Sequence, residues 1–157
     1  MKVYSLDWDD DDPVFDFKLI GFASSLVRDY DFVFYLNKNC RFNFSRIKDQ
    51  EITEDGILYA FSAYRFYHLK TRQEIELISN YSFPQTIKEN TGLFGETEVI
   101  KTLIPEHRSF NYFLKSDFLL DEEFYTILPN LESIREYQKI SINSIKMKNL
   151  ENLILPT

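Results

Sequence analysis

Few residues in this chain are equipped for chemistry. Asp7 and Asp9 to Asp12 concentrate carboxylate oxygens of the kind that hold calcium or magnesium. The known calcium-loop pattern fails at two of its fixed points, because the sixth position is Asp12 instead of glycine and the twelfth is Lys18 instead of glutamate. A solvated acidic loop is therefore expected, with no metal assigned. Cys40, the single cysteine, lies beside Arg41, whose charge favours a thiolate, but neither His68 nor His107 stands near it in a nucleophile motif. There is no His-Glu-x-x-His pair for zinc and no Gly-x-Ser-x-Gly turn to expose a serine. The four glycines, Gly21, Gly56, Gly92 and Gly95, spell neither a dinucleotide fingerprint nor a Walker loop. Gly92-Leu93-Phe94-Gly95 has the spacing of a KH clamp, but polar loop residues and Glu96 flank it in place of two helices. No catalytic residue and no cofactor follow, and the chain is expected not to be an enzyme.

The strongest binding candidate from bare chemistry is Tyr64 to Arg72, where aromatics interleave with Arg65, His68, Lys70 and Arg72. Single-stranded RNA platforms stack bases on rings while cations track phosphates. Arg65, Tyr67, Lys70 and Arg72 are the residues such a surface would use. On a strand, however, Arg65, Tyr67 and Leu69 face one way and Phe66, His68 and Lys70 the other, which splits rings and cations between faces. A hairpin edge guarded by basic residues is the simpler reading.

Charge and composition narrow the partners. The 157 residues carry a net charge of -7, and the first 31 hold eight acidic against three basic side chains. No segment has the basic excess that phosphate-backbone binding requires, so nucleic acid ranks behind protein as a partner. A lone thiol suits a reducing compartment. Lys2 is followed by Asp7 and Asp9 where a secretion signal would run apolar. The charge-free stretch Leu19 to Val27 is nine residues, about half a membrane span. The expected home is the cytoplasm, away from membranes.

Ile104-Pro105-Glu106-His107-Arg108-Ser109-Phe110-Asn111-Tyr112 resembles the signature of the bacterial IPExxxVDY family. Ile104, Pro105, Glu106 and Tyr112 match, whereas Phe110 stands for valine and Asn111 for aspartate, which removes a carboxylate that catalysis could use. A strand leading to Ser24-Ser25, a helix containing Asp29-Tyr30 and ending at Leu36-Asn37, and Leu77-Ile78-Ser79-Asn80 extend the likeness over most of the chain. The resemblance implies a small bacterial cytoplasmic protein and no particular chemistry. Physically, Pro105 fixes its own φ and pushes Ile104 towards extended backbone, ending a strand. Glu106 can then accept backbone N–H groups or pair with Arg108. The motif reads as a structural turn or as a partner-binding loop, with exposed aromatics near it, Tyr64, Tyr67 and Tyr112, as anchors. A hydrolase or transferase site behind Glu106 and His107 is the third reading.

These residues need a framework, and a chain that is 44% apolar and 17% aromatic, with 15 Phe and 10 Tyr, can supply its core. Alternation predicts strands over Val3 to Trp8, Phe15 to Leu19, Arg41 to Ile47, Ile57 to Leu69, Glu74 to Tyr81, Val99 to Ile104, Phe110 to Asp117 and Ile134 to Ile142. Helical spacing predicts a helix over Leu26 to Asn39, with Leu26, Tyr30, Val33, Phe34 and Asn37 on one face, capped by Ser24 or Ser25 and apolar over most of its circumference, hence covered on more than one side. A second helix, Asp121 to Leu131, is interrupted by Pro129. Residues 82–98 read as a mobile surface loop, and Ser144 to Leu155 as weakly helical. The expected architecture is one α+β domain spanning 1–157, a mostly antiparallel sheet with the two helices packed on it, acting as a non-catalytic protein-binding module.

Overall fold

The computed structural model describes residues 15–68, 72–88, 95–117 and 122–156. The strand expected at Val3 to Trp8, the Asp7 to Asp12 run, Lys70, the Gly92-Leu93-Phe94 part of the KH-like sequence and the Asp121 cap lie outside these residues.

The fold is α+β. A six-stranded antiparallel sheet runs in the order β10-β1-β9-β6-β5-β2, where β1 is Lys18–Ser24, β2 Ser45–Arg46, β5 Ala63–His68, β6 Gln73–Ser79, β9 Tyr112–Ser116 and β10 Ile134–Ile140. Both faces are covered, so its central strands are apolar almost continuously: Leu19, Ile20, Gly21 and Phe22 are all buried. One face (Ile20, Phe22, Leu77, Tyr112, Leu114) packs against α1, Asp29–Cys40, through Phe32, Val33 and Leu36, and against α2, Glu122–Ile127, with the turn after it, through Phe124, Leu128 and Leu131. The other face (Leu19, Ala63, Ile78, Phe113) lies under Leu103, Ile104, Phe110 and the C-terminal residues Ile145, Leu150, Leu153 and Leu155. Gly21 is a point of close approach, since a Cβ there would sit 2.7 Å from the Phe110 ring.

Several boundaries depart from the pattern-based expectation. The Ile57 to Leu69 stretch is two strands, β4, Ile57–Phe61, and β5, because the chain changes sheets at the buried Ser62, whose carbonyl accepts from the Ser79 N–H. Its first half pairs with β3, Gln50–Glu54, a segment outside the expected strands. Asp55 (φ 53°) and Gly56 (φ 76°) supply the two positive-φ residues of the intervening hairpin turn. Arg41 to Ile47 keeps only two strand residues, since Asn37 clamps Phe44, donating to its carbonyl and accepting its N–H at 3.2 and 2.9 Å. Within 82–98, β7, Gln85–Lys88, pairs with β8, Glu96–Val99, so this stretch is part hairpin instead of all loop. Val99 to Ile104 is not a strand: beyond β8 a single bridge joins Tyr81 to Thr102 before the chain turns into a 3-10 helix at Pro105. The tail carries α3, Met147–Leu150, between two 3-10 turns.

The first helix is corrected most. It starts at Asp29, after an extended Arg28 that provides no side-chain cap, because the Ser24 hydroxyl is already used between the Ser133 carbonyl and the Leu26 N–H. It ends at Arg41, whose φ of 58° is left-handed. Among the described residues it is covered on one side only.

Candidate interaction surface

The Ile104 to Tyr112 segment is a knot that ties three parts of the chain. Ile104 is fully buried and Pro105 opens the 3-10 turn, where its missing N–H costs nothing. Asn80, also fully buried, holds the turn from beneath: its Oδ1 accepts the Ile104 N–H at 2.8 Å, and its Nδ2 donates to the carbonyls of Phe110 (2.7 Å) and His107 (3.1 Å). Glu106 does not pair with Arg108. One oxygen accepts the Lys146 N–H at 2.8 Å and the other the Asn149 amide at 2.6 Å, so it fastens the start of α3. This satisfies an N–H that a helix start leaves without an intrahelical partner.

The last two motif residues reach across to the first helix. Asn111 spans the end of β1, accepting the Ser24 N–H (2.8 Å) and donating to the Ser24 carbonyl (3.1 Å). An ionised aspartate could make only the first of these bonds. Tyr112 stacks on Phe32, centroids 4.2 Å apart and planes 12° from parallel, and its hydroxyl donates to the carbonyls of Val27 (2.9 Å) and Leu26 (3.1 Å). Burial holds this phenol far above the ordinary tyrosine range, with Asp29 adding in the same direction. Tyr112 and Tyr64 are therefore not the surface anchors expected of them, being 2% and 7% exposed. Tyr64 lies under the sheet-facing side of α1, where its hydroxyl donates to Asp29 at 2.9 Å.

What the knot presents is the outer side of α1. Val27 is 86% exposed, Tyr30 55% and Phe34 70%. Tyr30, Phe34 and Lys38 recur every four residues along one helical face; Val27 precedes the helix, beyond the extended Arg28, and Arg41 follows it as the left-handed cap. Arg28 lies over the Tyr30 ring at 5.2 Å and is paired with Asp31 at 2.8 Å. Asp29 is committed to Arg46 and Tyr64. Lys38 and Arg41 are exposed and have no ion-pair or side-chain hydrogen-bond partner among the described residues. Sequence reasoning placed Tyr30 and Phe34 with the buried Val33. The buried set Phe32, Val33 and Leu36 instead centres the opposite side, a division that the spacing contains but that an all-round apolar helix conceals.

The hairpin expected to carry Arg65, Tyr67, Lys70 and Arg72 forms, with Arg65 opposite Glu76 and Tyr67 opposite Glu74. Arg65 is drawn into a row of charges, 2.7 Å from Glu76, which also meets Lys115 at 3.1 Å. Tyr67 and Arg72 line an open cavity of 290 Å³ together with Gln73, Glu74 and Asp117. Arg65 and Arg72 are thus separated in role, and two carboxylates share the cavity with the remaining cation.

Among the described residues, His107 and Glu106 of the motif make separate contacts. His107 Nε2 lies 2.7 Å from Ser144 Oγ, but that hydroxyl donates to the Ser141 carbonyl at 2.6 Å, and Glu106 is turned towards α3 instead of the imidazole. Burial pushes the Cys40 thiol up to about 11, so it holds its proton at neutral pH. No group of three or more His, Cys, Asp or Glu side chains among the described residues is placed to hold a metal ion. No helix among them is long and apolar enough to cross a membrane.

Compared with family models, with curated proteins and with solved structures, the chain has no match.

Proposed function

We propose that this chain is a non-catalytic protein-interaction module, cytoplasmic and of the IPExxxVDY type, whose docking face is the outer side of α1. One observation carries the reading: two large aromatic side chains, Tyr30 and Phe34, stand exposed one turn apart on a helix whose opposite side is firmly packed, with the exposed Val27 just before its start. Contiguous exposed apolar surface on a small protein marks a contact site more often than chance placement does. The motif serves this face as a support, because Tyr112 and Asn111 fix the backbone from which α1 departs.

An RNA-associated role through Tyr67 and Arg72 is the weaker alternative, since Glu74 and Asp117 would oppose phosphates in the same cavity. The test is a parallel affinity capture from bacterial lysate with the parent chain, Phe34→Ser and Leu58→Ser, the last being an exposed residue of β4 away from α1. Stoichiometric partner recovery that is lost with Phe34→Ser and kept with Leu58→Ser is expected. Identical eluates from all three, or nucleic acid as the sole co-purifying species, would refute the reading.

A further inference from the structure

We infer that the partner's docking element is an amphipathic helix that runs antiparallel to α1, led by carboxylates and followed by an apolar stripe. The inference rests on the reading that α1 is the docking face and adds the chemistry of what lands there. The face is divided along its length: Tyr30 and Phe34 occupy its N-terminal part, with Val27 just ahead of the helix, and Lys38 and the capping Arg41 mark its C-terminal end. Arg28 already has its counter-ion in Asp31, so the charge that a partner must meet lies at the C-terminal end. A helix laid antiparallel brings its own N-terminal turn to that end, which is where acidic side chains are favoured on any helix. Its carboxylates then face Lys38 and Arg41, its partial positive pole meets the carbonyl end of α1, and its next turns set apolar side chains on Phe34 and Tyr30 at helical spacing, with Val27 beyond them. Apolar contact, side-chain charge and backbone dipole all select this direction. The parallel orientation would put the acidic turn over Val27 and leave Lys38 and Arg41 unmet.

A second copy of the chain fits this face poorly. Both carboxylates that α1 could offer, Asp29 and Asp31, are committed within their own copy, so an antiparallel pair of α1 helices would supply nothing to Lys38 and Arg41. The face is also small: twelve helical residues span about 18 Å and a helix is about 10 Å wide, far short of the roughly 800 Å² per partner of a stable dimer. A short segment of another protein, bound with modest affinity, matches these dimensions.

The experiment uses the full chain and three fluorescein-labelled helical peptides, read by anisotropy. The first carries Asp and Glu in its first turn and leucines at i, i+3, i+4 and i+7 thereafter. In the second the acidic turn follows the leucines, and in the third lysines replace the acids. The first peptide is expected to bind about tenfold more tightly than either other, with that advantage shrinking as salt rises. Lys38→Glu combined with Arg41→Glu should invert the preference towards the lysine peptide, and Phe34→Ser should abolish binding of all three. Equal binding of the three peptides, still lost with Phe34→Ser, would overturn the inference while leaving α1 as the docking face. Binding indifferent to Phe34→Ser, or absent at millimolar peptide, would overturn both. So would a concentration-dependent dimer dissolved by Phe34→Ser, or oligouridine bound more tightly than any peptide.

Discussion

Removing one hydroxyl, in Tyr112→Phe, isolates what the motif does for the docking helix. The ring is 2% exposed and stacks on Phe32, and phenylalanine keeps that stacking, so the perturbation is confined to a donor shared between the carbonyls of Val27 and Leu26. A net hydrogen bond is worth about 0.5–1.5 kcal/mol. Val27 is exposed and Leu26 half-buried, so water can reach the freed carbonyls and the full penalty of a buried orphan is avoided. The expected loss is about 1 kcal/mol, or about 2–4 °C in Tm for a chain of this size. Urea denaturation followed by circular dichroism measures it. Hydrogen exchange should localise it: the first helical bond, from the Phe32 N–H to the Arg28 carbonyl, should lose protection while β9 and β1 keep theirs. Alkaline pH supplies an independent check. The native phenol holds its proton well above the unfolded value of about 10, so the stability it contributes is intact below that pH and is lost as pH rises beyond it. The variant should therefore lose less stability between neutral and alkaline pH than the parent, with a residual slope from Tyr64 and Tyr125, which burial also raises. A loss below about 0.3 kcal/mol with unchanged exchange in α1 would refute the claim that Tyr112 anchors the helix.

Two further substitutions probe the same core. Asn111→Asp should cost about 1–3 kcal/mol at neutral pH, because an ionised carboxylate cannot donate to the Ser24 carbonyl and repels it. The cost should shrink in acid, where the protonated acid regains a donor. Its folded pKa is thus raised, and stability falls as pH climbs through it; a chemical denaturation series at pH 4 and pH 7 showing equal costs would contradict this. Gly21→Ala should destabilise by about 1–3 kcal/mol through overpacking, since the added methyl meets the Phe110 ring at 2.7 Å and Ile140 at 2.8 Å. Phe110→Leu in the same background should recover part of the loss, and thermal melts of the three variants would show whether it does.

Much of the framework is legible in the residue pattern, because alternation and helical spacing are local. The α+β class, both sheet-covering helices, the antiparallel partners β5 and β6, and β10 all follow from it. The hairpin around Asp55-Gly56 is absent from the pattern-based expectation, because the polar composition of Gln50–Glu54 hides the strand beside its turn. Pro105 ends the preceding segment as its fixed φ requires. Other features have no local signature. Strand-like composition runs on through Ser62, and only the pairing of β4 with β3 and of β5 with β6 shows that the chain changes sheets there.

The side-chain chemistry divides along the same line. By itself the sequence determined that Ile104 to Tyr112 forms a turn, that α1 is amphipathic at best weakly, and that aromatic rings supply an unusually large share of the core-filling side chains. Only the tertiary structure decided that Asn37, Asn80 and Asn111 each clamp backbone with both ends of an amide, that Glu106 fastens α3, and that Phe34 faces solvent while Phe32 does not. The physical reason is that these choices depend on groups brought together from far apart in the chain, as Tyr112 and Val27 are across a separation of 85 residues. A helix that is apolar nearly all round has no preferred face until a sheet arrives to bury one.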